Sequence, residues 1–228
     1  MKEQLISRTV LCYGDSNTYG YNPYTGGRYA RNVRWTGRLQ DLLGDNYNVV
    51  EEGCNGRTTV FDDPVEGWKN GRDYLKPCLN SHKPVDLVVL MLGTNDLKKT
   101  FQADLSDIEG GVRMLVHMIQ KFTMEKQKSA AKVLLIAPPQ IGPDIMEGDF
   151  RDSFDESAIE RSSHFPEIYQ KIAEEMGCEF LNAGACVRPS DADSLHLGPD
   201  AHERLAWEVY RKVMHIFGQP VHSQAGYF

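Results

Sequence analysis

Four short blocks of this sequence contain residue types that can transfer an acyl group. GDSN at 14–17, GCNGR at 53–57 and GTND at 93–96 each follow an apolar run, and DSLH at 193–196 precedes a helical pattern. A serine hydroxyl becomes a good nucleophile when a base takes its proton, and histidine is the usual base. Each block alone is more typical of a turn, because Gly, Asn, Asp and Ser favour turns. Four such blocks together indicate a site.

His196 is the strongest candidate for the base. Of the seven histidines, only His196 has an aspartate three residues before it. In a turn that leads into a helix, the Asp193 carboxylate can accept a hydrogen bond from one ring nitrogen of His196. That bond fixes the tautomer and leaves the other nitrogen for Ser16. We therefore predict Ser16 as the nucleophile, His196 as the base and Asp193 as the residue that orients it.

The same blocks supply donors for an oxyanion. A tetrahedral intermediate needs hydrogen-bond donors directed at its negative oxygen. The backbone N–H of Ser16, the backbone N–H of Gly56 and the side-chain amide of Asn95 are the candidates, and Gly56 has no side chain to block approach. Asp15 and Asp96 are predicted to support these turns by accepting backbone N–H bonds, without taking part in the chemistry.

The elements that must position these blocks form an alternating pattern. Strands are predicted at 9–13, 47–50, 86–92, 132–137 and 179–181, and helices at 34–44, 69–82, 104–126, 163–177 and 199–217. The runs at 87–91 and 133–136 are apolar without alternation, which is typical of parallel strands covered on both faces. The sequence therefore predicts a three-layer α/β/α sandwich. Ligands bind beyond the carboxyl ends of the strands in such sheets, where the blocks fall.

Two long stretches, 19–34 and 140–163, show no regular pattern. Segments of this length usually line a site, form an interface or move. Trp35 and the tyrosines of the first stretch are equally consistent with a pocket wall, core packing or an interface. Arg57 is predicted to make an ion pair rather than bind an acyl carboxylate. No linker or repeat divides the chain, so a single domain is expected over 1–228.

Composition limits the partners. A net charge of −7 disfavours nucleic acid and anionic membranes, both of which need a basic face. No apolar segment is long enough for a bilayer, and the first residues lack a secretory pattern. Five cysteines without a CxxC pair indicate free thiols and a cytoplasmic location. Metal-binding and phosphate-binding motifs are missing, so no metal and no cofactor are predicted.

The blocks resemble the signature of the SGNH hydrolases, also called GDSL-type esterases and lipases. In the family's order, the resemblance assigns its four invariant positions to Ser16, Gly56, Asn95 and His196. It also assigns Asp193 as the partner of the histidine. The first block carries Asn17 where the family usually has leucine, a position to which the resemblance assigns no chemistry.

The flanking segments 33–40, 51–59, 86–98 and 137–144 resemble the bacterial arylesterase and acyltransferase branch of that family. The resemblance implies a flavodoxin-like fold with a five-stranded parallel sheet. It also implies a metal-independent serine esterase that forms an acyl-enzyme on small, short-acyl esters and passes the acyl group to water or another acceptor. Relatives in this branch form homo-oligomers, and the sequence leaves that state open here.

Three alternatives stay open. A carbohydrate O-acetyl esterase would use the same residues on a sugar ester, and an acyltransferase would prefer an alcohol or peroxide acceptor. A flavodoxin-like binding module without activity is the alternative from another class. Against it stands the complete set of predicted residues, because a binding module has no need of all of them.

Overall fold

The computed structural model describes residues 7–221, so the domain predicted over 1–228 extends beyond the described residues at both ends. One parallel sheet has the strand order β2-β1-β3-β4-β5. The strands are β1 (Arg8–Gly14), β2 (Tyr47–Gly53), β3 (Leu87–Met91), β4 (Lys132–Ala137) and β5 (Glu179–Asn182). The chain places β2 on one side of β1 and β3 on the other. The order of strands therefore reverses at β1, the position where open sheets bind ligands.

Seven α-helices accompany the sheet within residues 7–221. They are α1 (Ser16–Tyr19), α2 (Trp35–Leu43), α3 (Gly71–His82), α4 (Leu105–Gln127), α5 (Glu156–Ser163), α6 (Phe165–Met176) and α7 (Pro199–Ile216). The five predicted helices are all present. In the described part of the chain, no helix combines the length and the apolar composition that a bilayer crossing requires.

Two helices were not predicted from the sequence. The prediction that 140–163 is irregular throughout is wrong for its last third, which forms α5. That helix buries only two small residues, Ala158 and Ser162, so it lacks an apolar periodicity. The turn predicted after β1 is instead the single helical turn α1, which ends at Gly20 with a left-handed φ of 84°.

The sheet is covered on both faces, as its strand sequences indicate. In β3, Val88 and Leu90 join a core with α3, α4 and α6. Leu87, Val89 and Met91 point the other way, into a core with α2 and α7. All five side chains are buried. Because both faces of the strand need apolar side chains, the strand shows no polar alternation. The predicted three-layer sandwich is confirmed.

Three strands end at the same level of the sheet. In the parallel register, Gly14 lies opposite Gly53 of β2 and opposite Met91 of β3. The short helix α1 then packs against the end of β2, where a Cβ atom on Gly53 would overlap the backbone nitrogen of Tyr19. The missing side chain of Gly53 is therefore a condition for the position of α1.

We expect Gly53→Ala to lower the free energy of unfolding by about 1–3 kcal/mol, because backbone atoms of α1 must move to admit the methyl group. Urea-induced unfolding followed by circular dichroism measures the change. Gly67→Ala is the matched control, since a Cβ atom at Gly67 meets nothing within 4 Å. Equal stability of the two variants would show that the contact between α1 and β2 is not tight.

Candidate active site

The first block forms a strand-to-helix corner. Asp15 is the N-cap of α1, and its side chain accepts a hydrogen bond from the backbone N–H of Asn17 at 3.0 Å. Ser16 is the first residue of α1 and lies directly beyond the carboxyl end of β1. Burial raises the pKa of Asp15 to about 6. Asp15 therefore supports the turn in the way that the sequence predicts.

Ser16, His196 and Asp193 lie in one hydrogen-bonded row. The Ser16 Oγ atom is 2.9 Å from His196 Nε2, and His196 Nδ1 is 2.6 Å from Asp193 Oδ2. A carboxylate only accepts hydrogen bonds, so the proton is assigned to Nδ1 and Nε2 is left to accept from the serine hydroxyl. The structure thus brings together three residues that the sequence separates by up to 180 positions.

Asp193 has both oxygen atoms occupied. Its Oδ1 accepts the backbone N–H groups of Leu195 and His196 at 3.0 and 2.9 Å, while Oδ2 faces the ring. Burial by itself raises the pKa of Asp193, but the hydrogen bonds and charge of His196 outweigh burial and leave the pKa below its ordinary value. Asp193 is therefore a carboxylate when His196 must accept a proton.

Gly56 and Asn95 follow β2 and β3, the two strands that flank β1 in the sheet. Gly56 has a left-handed φ of 77°, which glycine adopts without strain. Asn95 is 5% exposed and donates from Nδ2 to the carbonyl of Arg57 at 3.2 Å. This bond joins the second and third blocks. The predicted oxyanion donors thus come from the ends of three adjacent strands.

Asp96 bonds to its own turn and to a second segment. Its carboxylate accepts a hydrogen bond from its own backbone N–H, and it also accepts the backbone N–H of Thr59 at 3.0 Å and the Thr59 hydroxyl. Arg57 is buried, donates to the carbonyls of Gly14 and Glu52, and lies over the ring of Tyr13 at 4.2 Å. Arg57 therefore holds the second block against β1, and the solvated or structural ion pair predicted for it does not occur among residues 7–221.

Two aromatic rings contact His196. The ring centroid of Tyr21 lies 4.2 Å from that of His196, and the centroid of Phe150 lies 5.2 Å away. One ring comes from each long stretch without regular pattern. Aromatic faces stabilise a protonated imidazole and exclude water from it. The sequence named both rings only as members of these stretches, and no local motif distinguishes Phe150.

Trp35 is a core residue and not part of the pocket wall. It is fully buried, and its Nε1 donates to the carbonyl of Asn17 at 3.0 Å.

One group among residues 7–221 has donor atoms spaced as in a metal site, namely Glu52, Cys78 and His82. In that group, the imidazole and the carboxylate already pair at 2.8 Å. It shares no residue with the row around Ser16.

The chain is similar to a known protein family and to several solved structures. The model of the GDSL-like lipase/acylhydrolase family matches residues 12–204. One solved structure is 43% identical, with a TM-score of 0.89, covering 93% of this chain and 100% of its own. A carbohydrate acetylesterase from Sinorhizobium meliloti is 36% identical, with a TM-score of 0.87 and coverage of 92% and 100%. An aryl esterase from M. smegmatis is 33% identical, with a TM-score of 0.86 and coverage of 92% and 99%. No curated protein matches the chain.

We expect Asp96 to make stability depend on pH. Burial raises its pKa to about 6 from the ordinary 3.8, although hydrogen bonds from Thr59 lower it. The folded state therefore holds this proton more tightly, and the stabilisation is lost as pH rises through about 6. Asp96→Asn should reduce the fall in the free energy of unfolding between about pH 4 and pH 7 by about 2–3 kcal/mol.

Urea unfolding of wild type and variant across this pH range measures the difference. Asp45→Asn is the control for the loss of a carboxylate at the surface, because Asp45 is exposed. If Asp96→Asn and wild type lost stability in parallel, the raised pKa of Asp96 would be contradicted.

Proposed function

Because the chain belongs to the GDSL-like lipase/acylhydrolase family and is a carboxylic ester hydrolase, we propose that Ser16, His196 and Asp193 carry out its reaction on small esters with short acyl chains. The observation that supports these roles is the hydrogen-bonded row from Ser16 Oγ through His196 to Asp193, with distances of 2.9 and 2.6 Å. Such a row is what a serine nucleophile needs for activation.

In the first step, Ser16 Oγ attacks the ester carbonyl while His196 Nε2 takes the hydroxyl proton. The imidazolium that forms is stabilised by the Asp193 carboxylate and by the adjacent aromatic rings of Tyr21 and Phe150. His196 then returns the proton to the leaving alcohol. A covalent acyl-enzyme on Ser16 remains.

The carbonyl oxygen becomes negative during the attack and needs donors. We assign the backbone N–H groups of Ser16 and Gly56 and the side-chain amide of Asn95 to this role, since all three residues lie beyond the carboxyl ends of the adjacent strands β2, β1 and β3. Removing one such donor typically costs about 10²- to 10³-fold in kcat.

In the second step, a water molecule activated by His196 attacks the acyl-enzyme, which releases the acid and restores Ser16.

The low solvent exposure of the reacting residues supports a small substrate. Ser16, Asn95 and His196 are 7%, 5% and 3% exposed, so only a small part of each residue is accessible to a substrate. We infer that a short acyl group reaches Ser16 more readily than a long chain. The five cysteines are free thiols, and the proposed location is the reducing cytoplasm.

A carbohydrate acetylesterase is the second candidate. It is favoured by two solved structures of carbohydrate acetylesterases from Sinorhizobium meliloti, which are 36% and 31% identical to this chain. A sugar ring can stack on aromatic faces such as those of Tyr21 and Phe150. Transfer of the acyl group to an alcohol or peroxide acceptor would use the same acyl-enzyme.

Hydrolysis of p-nitrophenyl acetate, butyrate and octanoate, beside acetylated xylose, should rank the two candidates. We expect kcat/KM to fall by about tenfold or more from the two-carbon to the eight-carbon acyl group, a difference of at least about 1.4 kcal/mol in transition-state binding. Equal rates for all three aryl esters would contradict a short-acyl site. Faster cleavage of acetylated xylose than of the aryl acetate would favour the carbohydrate substrate.

We expect Ser16→Ala to lower kcat on p-nitrophenyl acetate by about 10⁴-fold or more. The melting temperature should change little, because the Ser16 hydroxyl bonds only to His196 among the described residues. Ser163→Ala, an exposed serine at the end of α5, is the control and should keep full activity.

Intact-mass spectrometry after exposure to a fluorophosphonate identifies the nucleophile directly. A single phosphonyl adduct is expected on the wild type and on Ser163→Ala, and none on Ser16→Ala. An adduct that persists in Ser16→Ala would refute the assignment of Ser16. A wild type that takes up no adduct would favour the inactive binding module instead.

A further inference from the structure

The residue after the nucleophile is bound to the loop that carries His196. Asn17 lies in α1 and is 4% exposed. Its Nδ2 donates to the carbonyl of Leu195 at 3.3 Å, and its Oδ1 accepts the backbone N–H of Leu197 at 3.0 Å. One amide therefore holds the backbone on both sides of His196, across as many as 180 positions of sequence.

The direction of the Asn17 amide is determined by its partners. A backbone N–H must meet the oxygen and a backbone carbonyl must meet the nitrogen, so only one orientation satisfies both. The backbone of Asn17 is held as well. Its N–H donates to Asp15 Oδ1 at 3.0 Å, and its carbonyl accepts from Trp35 Nε1 at 3.0 Å. The side chain thus extends from a fixed point of the nucleophile's own helix.

The loop of His196 has no strand pairing and is held by individual hydrogen bonds, among them those from Gly142 N–H to Ser194 O and from Ser190 N–H to His196 O, both at 2.7 Å. It lies between β5 and α7, and Ser194 within it has a left-handed φ of 57°, which a non-glycine residue adopts at a cost. Asp193 orients the ring within the loop but does not connect the loop to Ser16. Besides the bond between Ser16 and His196 itself, the two hydrogen bonds of the Asn17 amide connect the loop to α1.

We propose that Asn17 is a positioning residue that fixes the distance between Ser16 Oγ and His196 Nε2. This inference rests on the proposed function of those two residues. The leucine common at this position in the family has no polar atoms, so Leu195 O and Leu197 N would lose their side-chain partner. A displacement of about 1 Å between reacting groups can cost about 10²-fold in rate.

Asn17→Leu is the direct test, because the two side chains have similar size and shape. With p-nitrophenyl acetate we expect kcat to fall by about 10- to 100-fold while KM changes less than about twofold. The rate constant for inactivation by a fluorophosphonate should fall by the same factor. A general loosening of the fold would not separate kcat from KM in this way.

Thr18→Val is the matched control. Thr18 follows Asn17 in the same helix, is fully buried, and its Oγ1 has no hydrogen-bond partner among residues 7–221. This variant should keep wild-type kcat. An equal loss in Thr18→Val would overturn the proposal, because any change in α1 would then have the same effect.

Asn17→Ala serves as a second variant if the leucine variant does not fold, since it removes the same two bonds without adding bulk. Wild-type kcat in either folded variant overturns the positioning role. The activity of Ser16→Ala shows whether only the role of Asn17 is wrong or whether the proposed function itself is wrong. If Ser16→Ala is inactive and Asn17→Leu is fully active, only the role of Asn17 is wrong, whereas an active Ser16→Ala refutes the proposed function itself.

Discussion

The common level at which β1, β2 and β3 end is the constraint on which the site depends. Parallel pairing sets Gly14 opposite Gly53 and Met91, so the chain leaves all three strands at one edge of the sheet. Ser16 follows the middle strand, and the other two strands lead to Gly56 and Asn95. The α-helical crossovers that parallel strands require cover both faces and leave this edge open to a ligand.

A second constraint brings the base to that edge. His196 belongs to a loop between β5 and α7, and no strand pairing determines where this loop lies. Asp193 uses one oxygen for the ring and the other for the loop backbone, so a single carboxylate fixes both the tautomer and the local turn. Asn17 then joins the loop to the helix of the nucleophile. The proposed catalytic residues and the residues that position them are thus neighbours in the chain.

The environment separates the carboxylates of the site by role. Burial raises the pKa values of Asp15 and Asp96, whose hydrogen-bond partners are backbone N–H groups and a hydroxyl. Asp193 is also buried, but the charge and hydrogen bonds of His196 lower its pKa. Of the three, Asp193 is the one whose pKa is lowered and whose carboxylate bonds directly to the imidazole, which is what an orienting residue requires.

Local patterns in the sequence were enough for the sandwich and the parallel sheet, because strand apolarity is encoded within a few residues. Ser16, His196 and Asp193 were predicted from four blocks taken together and from their resemblance to a known family, and the tertiary structure forms their hydrogen-bonded row. The helix α5 escaped prediction, since it buries only small side chains. The contacts of Phe150 and Asn17 with the His196 loop were decided by the tertiary structure alone. Asn17 bonds to groups about 180 positions away, and the distance between two such segments is set only when the whole sheet has formed.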